Sequence, residues 1–240
     1  MKYDKMLMLL TLVAAGLAAG CSDDEDPLKD WTGPSKPGTE IKTPAEVGNR
    51  VVAHRGGSTE AGTRQFPDNS VAALNYAIGL GCYASECDIY LTKDDDVVVA
   101  HASAGCYINN LKPWEHTLAE LRAAGTLDNG EQLPSLADFI DVVLEAGAVG
   151  SNAGWMSFRN PADYISYGYP WANLSTENLY FEGKTVNKNG YSVQKFLDAG
   201  LKLSVYNADL DVDMDYYLTY KDKLYAICTN YPRKLLGKWN

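Results

Sequence analysis

Residues 85–102 read SECDIYLTKDDDVVVAHA. The apolar alternation predicts a strand over Tyr83 to Leu91, a polar turn at Asp94–Asp96, and a short buried strand over Val97 to Ala100 that ends on His101. In a strand, successive side chains point to opposite faces, so Glu86 and Asp88 share one face and Cys87 takes the other. Two carboxylates on one face repel unless a cation lies between them, and an all-oxygen pair suits Ca²⁺ or Mg²⁺. The plainer alternative is a pair of exposed acids on a half-buried strand. A second apolar run, Arg50 to His54, also ends on a histidine before Gly56 and Gly57. The chain has three histidines, and two of them sit at the C-terminal ends of predicted strands. In an α/β barrel those ends form the catalytic face. Histidine exchanges protons near neutral pH, and Arg55 beside His54 is suited to clamp a phosphate oxygen. The third histidine, His116, falls in a predicted helix and reads as structural.

Working outward, Asp68 to Leu80 is predicted helical, with Asp68 or Asn69 as cap and Gly79 and Gly81 as the stop. Trp114 to Ala124, Ser135 to Ala146, Tyr191 to Ala199 and Met214 to Tyr220 read as further helices. Asp163 to Ser166, Trp171 to Leu174, Leu201 to Tyr206 and Leu224 to Thr229 read as strands. Alternation of strand and helix favours a parallel α/β fold.

Of the 240 residues, 46% are hydrophobic, enough for a substantial core. The formal net charge is −10, which argues against a nucleic-acid partner. It leaves room for a phosphate substrate, because a bound cation can supply local positive charge. Lys2 and Lys5 precede an apolar run from Met6 to Ala19 that is short for a membrane span and reads as a signal peptide over residues 1–20. Leu17-Ala18-Ala19-Gly20-Cys21 resembles a bacterial lipobox. That resemblance implies cleavage before Cys21, its lipidation, and an outer-membrane lipoprotein of the cell envelope held to the membrane by its lipid. An ordinary signal peptide that contains a cysteine is the alternative. The acidic run Ser22 to Asp26 loosely resembles the surface-export signal of Bacteroidetes lipoproteins, or is simply a solvated tether. Residues 21–48 are rich in Pro, Gly, Lys and Thr and read as a flexible linker to a domain over 49–240. Cys82, Cys87, Cys106 and Cys228 show no metal-binding spacing and are expected to be buried thiols.

Five stretches occur together: AHRGG (53–57), FPDNSVAALNYAIGLG (66–81), ECDIYLTKDDDVVVAHA (86–102), LPSLADFIDVV (133–143) and AICTNYPRKLL (226–236). Their order resembles that of the glycerophosphodiester phosphodiesterases, whose patterns are His-Arg-Gly, Pro-Glu-Asn-Thr, Glu-x-Asp, Thr-Lys-Asp-Gly, His-Asp and Thr-Asp-x-Pro. The likeness is close over 50–146 and again over about 163–236. It implies a TIM-type (β/α)₈ barrel and metal-dependent hydrolysis of glycerophosphodiesters to glycerol 3-phosphate and an alcohol. By motif position it implies His54 and His101 as the acid/base pair, Arg55 as the phosphate ligand, and Glu86 and Asp88 as ligands of Ca²⁺ or Mg²⁺.

The chain departs from the patterns in several places. Asp68 and Ser70 replace the Glu and Thr of Pro-Glu-Asn-Thr, Ala102 replaces the Asp after the second His, and Asn230 replaces the Asp of Thr-Asp-x-Pro. A Glu-x-Lys strand, which by the resemblance carries a third metal ligand and a substrate contact, has no counterpart in Ala148 to Gly154. About 190 residues remain from Arg50 onward, against the roughly 200 to 250 that such barrels use. The expectation is an incomplete barrel, missing a segment near 149–154 that would hold the third and fourth strands, or the third to the fifth, with Glu177 or Glu182 as substitute ligands lacking any motif. The alternative function is a catalytically impaired relative serving as a surface ligand-binding lipoprotein, with the aromatic-rich stretch Trp155 to Phe181 as its contact surface. A phospholipase of a related barrel type is a weaker third reading.

Overall fold

Val51-Val52-Ala53 is apolar and largely β-branched, and it forms a strand buried along its whole length at the centre of the protein. The computed structural model describes residues 47–101, 108–146, 160–166, 168, 170–182 and 190–239. In chain order the strands are β1 (Val51–Ala53), β2 (Thr59–Glu60), β3 (Thr63–Arg64), β4 (Ala84–Ser85), β5 (Ile89–Leu91), β6 (Val97–Val99), β7 (Trp171–Ser175), β8 (Lys202–Tyr206) and β9 (Ala226–Thr229). The helices are α1 (Val71–Gly79), α2 (Leu118–Ala123), α3 (Leu136–Ala146), α4 (Pro161–Ser166), α5 (Val193–Asp198), α6 (Asp211–Leu218) and α7 (Pro232–Trp239).

Five strands pair in parallel in the order β4-β1-β9-β8-β7. The first strand of the chain therefore lies beside the last, as it must in a closed α/β barrel. Side-chain alternation splits the core. Val51, Leu203, Val205 and Ile227 face a helical layer that includes Phe196, Met214, Tyr217 and Leu235. Val52, Ala84, Ala226 and Cys228 face the other side with Tyr83. The hairpin β5–β6 stands outside this sheet and packs on Ile108, Leu121 and Leu133.

Four sequence expectations need correction. Tyr83 to Leu91 is not one strand. Glu86 N–H makes a last 2.9 Å bond to Ala53 O, and the chain then leaves the sheet over 86–88 before β5 pairs antiparallel with β6. Trp114 to Ala124 is not one helix. Thr117 and Glu120 form a reciprocal capping box that starts α2 at Leu118, and Pro113–Glu115 is a separate 3₁₀ turn. Asp163 to Ser166 is helical, because Pro161 sits in the first turn of α4 and Asn160 Oδ1 accepts Ala162 N–H at 3.1 Å. The cap of α1 is Ser70, whose Oγ accepts Ala73 N–H at 3.0 Å, and Asp68 and Asn69 are released for the site below. Cys82, Cys87 and Cys228 are free thiols; Cys228 is buried as expected, Cys82 and Cys87 are half-buried, and Cys106 lies outside the described residues.

Gly56 shows why the turn after β1 needs a glycine. Its φ is +89°, and an added Cβ would lie 2.4 Å from Ala73 Cβ and 2.7 Å from Ala73 C in α1. Gly62 has a similar φ of +82° but open space around it. Both alanine substitutions carry a backbone penalty of about 1 kcal/mol, and only Gly56→Ala adds a clash with helix backbone. Urea denaturation should therefore show a much larger loss of midpoint for Gly56→Ala than for Gly62→Ala. Equal losses would mean that α1 does not press on this turn.

Candidate active site

The register of β1 on β9 sets Ala53 opposite Thr229, so the next residues, His54 and Asn230, emerge side by side at the C-terminal ends of the strands. His54 Nδ1 lies 2.8 Å from Asn230 Oδ1. Asn230 Nδ2 donates to Asp209 Oδ2 at 2.6 Å, which leaves its carbonyl oxygen for the imidazole. A carbonyl only accepts, so the hydrogen-bond network assigns the proton to Nδ1 and leaves Nε2 as the basic nitrogen. Nε2 lies 3.9 Å from Glu86 Oε2. Burial, and then the charge of Arg55, hold the His54 pKa below the usual imidazole value. The ring is accordingly neutral at neutral pH.

Arg55 has φ +54°, a left-handed conformation that an L side chain resists. Three bonds hold it there. Its N–H donates to Glu86 Oε2 at 3.1 Å, its carbonyl accepts Asn69 N–H at 3.0 Å, and its Nε sits 2.9 Å from Asp88 Oδ2. The last is an ion contact without the alignment of a hydrogen bond. Asn69, itself buried with φ +61°, donates from Nδ2 to Asp88 Oδ2 at 3.2 Å and accepts Asp88 N–H at 3.2 Å. Asp68 lies 3.1 Å from Arg64 Nη2 and 3.9 Å from Arg55 Nη1. Because 86–88 has left the sheet, Glu86 and Asp88 converge through these partners and not through strand alternation.

His101 follows β6, two residues past its last strand position. Burial lowers its pKa; the charges of Asp88, Arg55 and His54 reach it as well, the first raising and the others lowering the value. The structure thus brings all five sequence-derived residues, His54, Arg55, Glu86, Asp88 and His101, to one place. His116 stays apart: it is half-buried, with its Nδ1 3.0 Å from Lys112 O, in keeping with a structural role. An open cleft of about 510 Å³ is lined by His54 and Arg55 together with Arg64, Asp68, Asp209 and Asn230. Asn69, which the sequence suggested as a helix cap, and Asp209 and Asn230 are the working residues that sequence reasoning left without a role in the site. The Thr-Asp-x-Pro departure was the one signal that pointed at Asn230.

Residues 54–157 match the model of the Glycerophosphoryl diester phosphodiesterase family. Over 101 residues the chain is 31% identical to a glycerophosphodiester phosphodiesterase of Caldanaerobacter subterraneus subsp. tengcongensis. Over residues 54–157 the chain is similar to this family. The match to the Caldanaerobacter protein takes in 39% of this chain and 40% of that relative, so the chain spans well under half of its length. Among solved structures, a glycerophosphodiester phosphodiesterase from Parabacteroides distasonis superposes with a TM-score of 0.62 at 18% identity, over 79% of this chain and 96% of that one. An Oleispira antarctica phosphodiesterase solved in complex with the product sn-glycerol-3-phosphate gives 0.57 at 17% identity, over 78% and 95%. These neighbours establish the fold as an α/β, TIM-type barrel. Among the described residues the barrel is incomplete, with five parallel strands in its sheet.

The family in general depends on a divalent metal. Glu86 and Asp88 suit a hard cation in kind, both being oxygen donors. Burial first, and the charge of Asp88 second, push the Glu86 carboxyl up to about 8. A cation beside it would relieve both. The shell is short, however: no group of three His, Cys, Asp or Glu side chains that could hold a metal occurs among the described residues, so neither Glu177 nor Glu182 completes it.

A carboxyl that titrates near 8 when folded and near 4.5 when unfolded favours the folded state only while protonated. In chelator, stability should therefore fall as pH rises from about 4.5 toward about 8, and Glu86→Gln should flatten that fall. At the alkaline end, Ca²⁺ or Mg²⁺ should raise the melting temperature of wild type more than that of the variant. Identical profiles for the two proteins would remove Glu86 from the metal site.

Proposed function

We propose that this protein hydrolyses glycerophosphodiesters to glycerol 3-phosphate and an alcohol, with His54 and His101 as the proton-transfer pair. The observation that carries the reading is the convergence of His54, Arg55, Glu86, Asp88 and His101 on one another, with His54 and Arg55 lining the cleft. A phosphodiester anion repels nucleophiles, so its charge must be screened as the new bond forms. Arg55 supplies that charge from the protein, its guanidinium anchored by Asp88 while it faces the cleft. Glu86 and Asp88 would hold a divalent cation, which adds Lewis-acid screening when bound. His54 takes the proton of the nucleophile at Nε2, the nitrogen that its bond to Asn230 leaves bare. His101 donates to the departing alkoxide. The nucleophile is water, which gives glycerol 3-phosphate directly, or the neighbouring glycerol hydroxyl, which expels the alcohol and forms a cyclic glycerol phosphate that water then opens to glycerol 3-phosphate.

A second reading has its own observation. Ala148 to Gly154 carries no Glu-x-Lys, and no third ligand joins Glu86 and Asp88 among the described residues. On that reading the chain binds glycerol-phosphate ligands with little or no turnover. Cys21 and the residues before it lie outside the described residues, and we propose them as the lipid anchor of an envelope protein on the lipobox resemblance alone.

Release of glycerol 3-phosphate from glycerophosphocholine, with and without chelator, separates the two readings. Chelator-sensitive turnover that falls roughly 10²–10⁴-fold in His54→Ala and in His101→Ala is expected of the enzyme. Binding of glycerol 3-phosphate by a wild type that turns over no faster than the histidine variants would establish the second reading instead. For the anchor, Cys21→Ala should move the protein from the membrane fraction to the soluble one. A variant that still sediments with membranes overturns that assignment.

A further inference from the structure

Asp209 lies in the loop between β8 and α6, far in sequence from either histidine, and belongs to none of the motifs. Its carboxylate nonetheless gathers three donors from the end of β9. Thr229 Oγ1 donates to Oδ1 at 2.9 Å, Asn230 N–H donates to Oδ1 at 2.9 Å, and Asn230 Nδ2 donates to Oδ2 at 2.6 Å. Thr229 is fully buried, so this corner is fixed in the core and not on a loose surface. Thr229 Oγ1 in turn accepts Tyr231 N–H at 3.1 Å.

The logic of these bonds runs one way. A primary amide can present either its oxygen or its nitrogen to a neighbour, and by itself Asn230 has no preference toward His54. Asp209 removes the choice, because a carboxylate facing the amide accepts and does not donate. The amide nitrogen must turn to Asp209 and the amide oxygen must turn to His54 Nδ1. The imidazole then carries its proton on Nδ1 and its lone pair on Nε2. We propose that Asp209 is a positioning residue that sets the tautomer of His54 through Asn230. In the resembled Thr-Asp-x-Pro pattern a carboxylate stands at the position of Asn230. Here a carboxylate stands one hydrogen bond farther from the ring, at Asp209, and the amide relays its directionality without placing a full negative charge on the ring. The proposal rests on the phosphodiesterase reading for its kinetic consequence and on the hydrogen bonds alone for the tautomer.

The test inverts the relay and then restores it. Asp209→Asn keeps the volume and can still accept from Thr229 and from Asn230 N–H through Oδ1. Its new amide nitrogen would then face Asn230 Nδ2, donor against donor. The Asn230 amide must flip and offer its nitrogen to His54 Nδ1, which forces the proton onto Nε2. The double variant Asp209→Asn with Asn230→Asp returns an acceptor to the ring and a donor to that acceptor. Long-range ¹⁵N–¹H correlation spectra near pH 8, where imidazoles are neutral, read the tautomer directly, and three histidines make assignment simple. Wild type should show a protonated Nδ1 at His54, the single variant a protonated Nε2, and the double variant the wild-type pattern. Turnover should follow, falling roughly 10²-fold in the single variant with KM nearly unchanged, and recovering in the double variant. A single variant that melts like wild type and keeps the wild-type ¹⁵N pattern overturns the proposal, as does a double variant that fails to restore it. If the ¹⁵N pattern inverts and recovers while wild type shows no turnover, the relay stands and the phosphodiesterase reading falls.

Discussion

The contact on which the rest of the structure depends is the parallel pairing of the first strand with the last. Val51, Val52 and Ala53 lie opposite Ile227, Cys228 and Thr229. Each of these six residues is almost wholly buried, so the register is held by apolar side chains on both faces of the sheet. A slip of one residue would exchange those faces and would also part His54 from Asn230. The turn beyond β1 is locked against the start of α7 in the same way: a Cβ on Gly57 would meet Pro232 Cδ at 2.8 Å and Thr229 O at 3.1 Å. Thr59 N–H closes the corner on Asn230 O at 3.3 Å. A rigid frame of this kind is what allows two loops from opposite ends of the chain to share a proton network.

Around that frame the charges do not balance. Asp68, Glu86 and Asp88 face Arg55 and Arg64, three carboxylates against two guanidiniums. Glu86 accepts the backbone N–H of Arg55, and its pKa is raised first by burial and then by the charge of Asp88. Asp88, with Arg55 and Asn69 on one oxygen, is better supported. A pair of acids held this unequally is poised to take up positive charge. The backbone strain at Arg55 and Asn69 is part of the same arrangement, since both left-handed residues are held by bonds to Glu86, to Asp88 or to each other.

The sheet also shows where the barrel stops. β4 and β7 are its two outer strands, and no strand between them in sequence joins it among the described residues. That interval contains Ala148 to Gly154, the stretch in which no Glu-x-Lys occurs; it lies outside the described residues. β4 is two residues long, and brevity is one of the ways in which an outer strand is kept from recruiting another. The hairpin β5–β6 occupies chain that a regular barrel would give to a helix, and it delivers His101 to the site from outside the sheet.

Most of the fold and five residues of the site were legible in the sequence. Strands such as Val51–Ala53 and Ala226–Thr229 are short apolar runs bounded by turn residues, and the histidines and acids sit at or just past predicted strand ends. Those are local signals, carried by residue type and spacing. The errors were local signals that a longer-range contact overruled. Tyr83 to Leu91 alternates like one strand, yet Asn69 draws Asp88 out of the sheet from 19 positions away. Asn69 reads as a helix cap because an amide before an apolar helix usually is one, and Ser70 next to it does that work. The sequence by itself determined the α/β class, the family resemblance and the chemical inventory, since each is written in composition and in the order of short motifs. Only the tertiary structure decided that Asn230 meets His54 across 176 positions and that Asp209 orients it across 21. Such bonds exist only where the β1–β9 register brings the side chains at two strand ends within hydrogen-bond reach, as His54 Nδ1 and Asn230 Oδ1 at 2.8 Å, and nothing in the spacing of the residues along the chain encodes that distance.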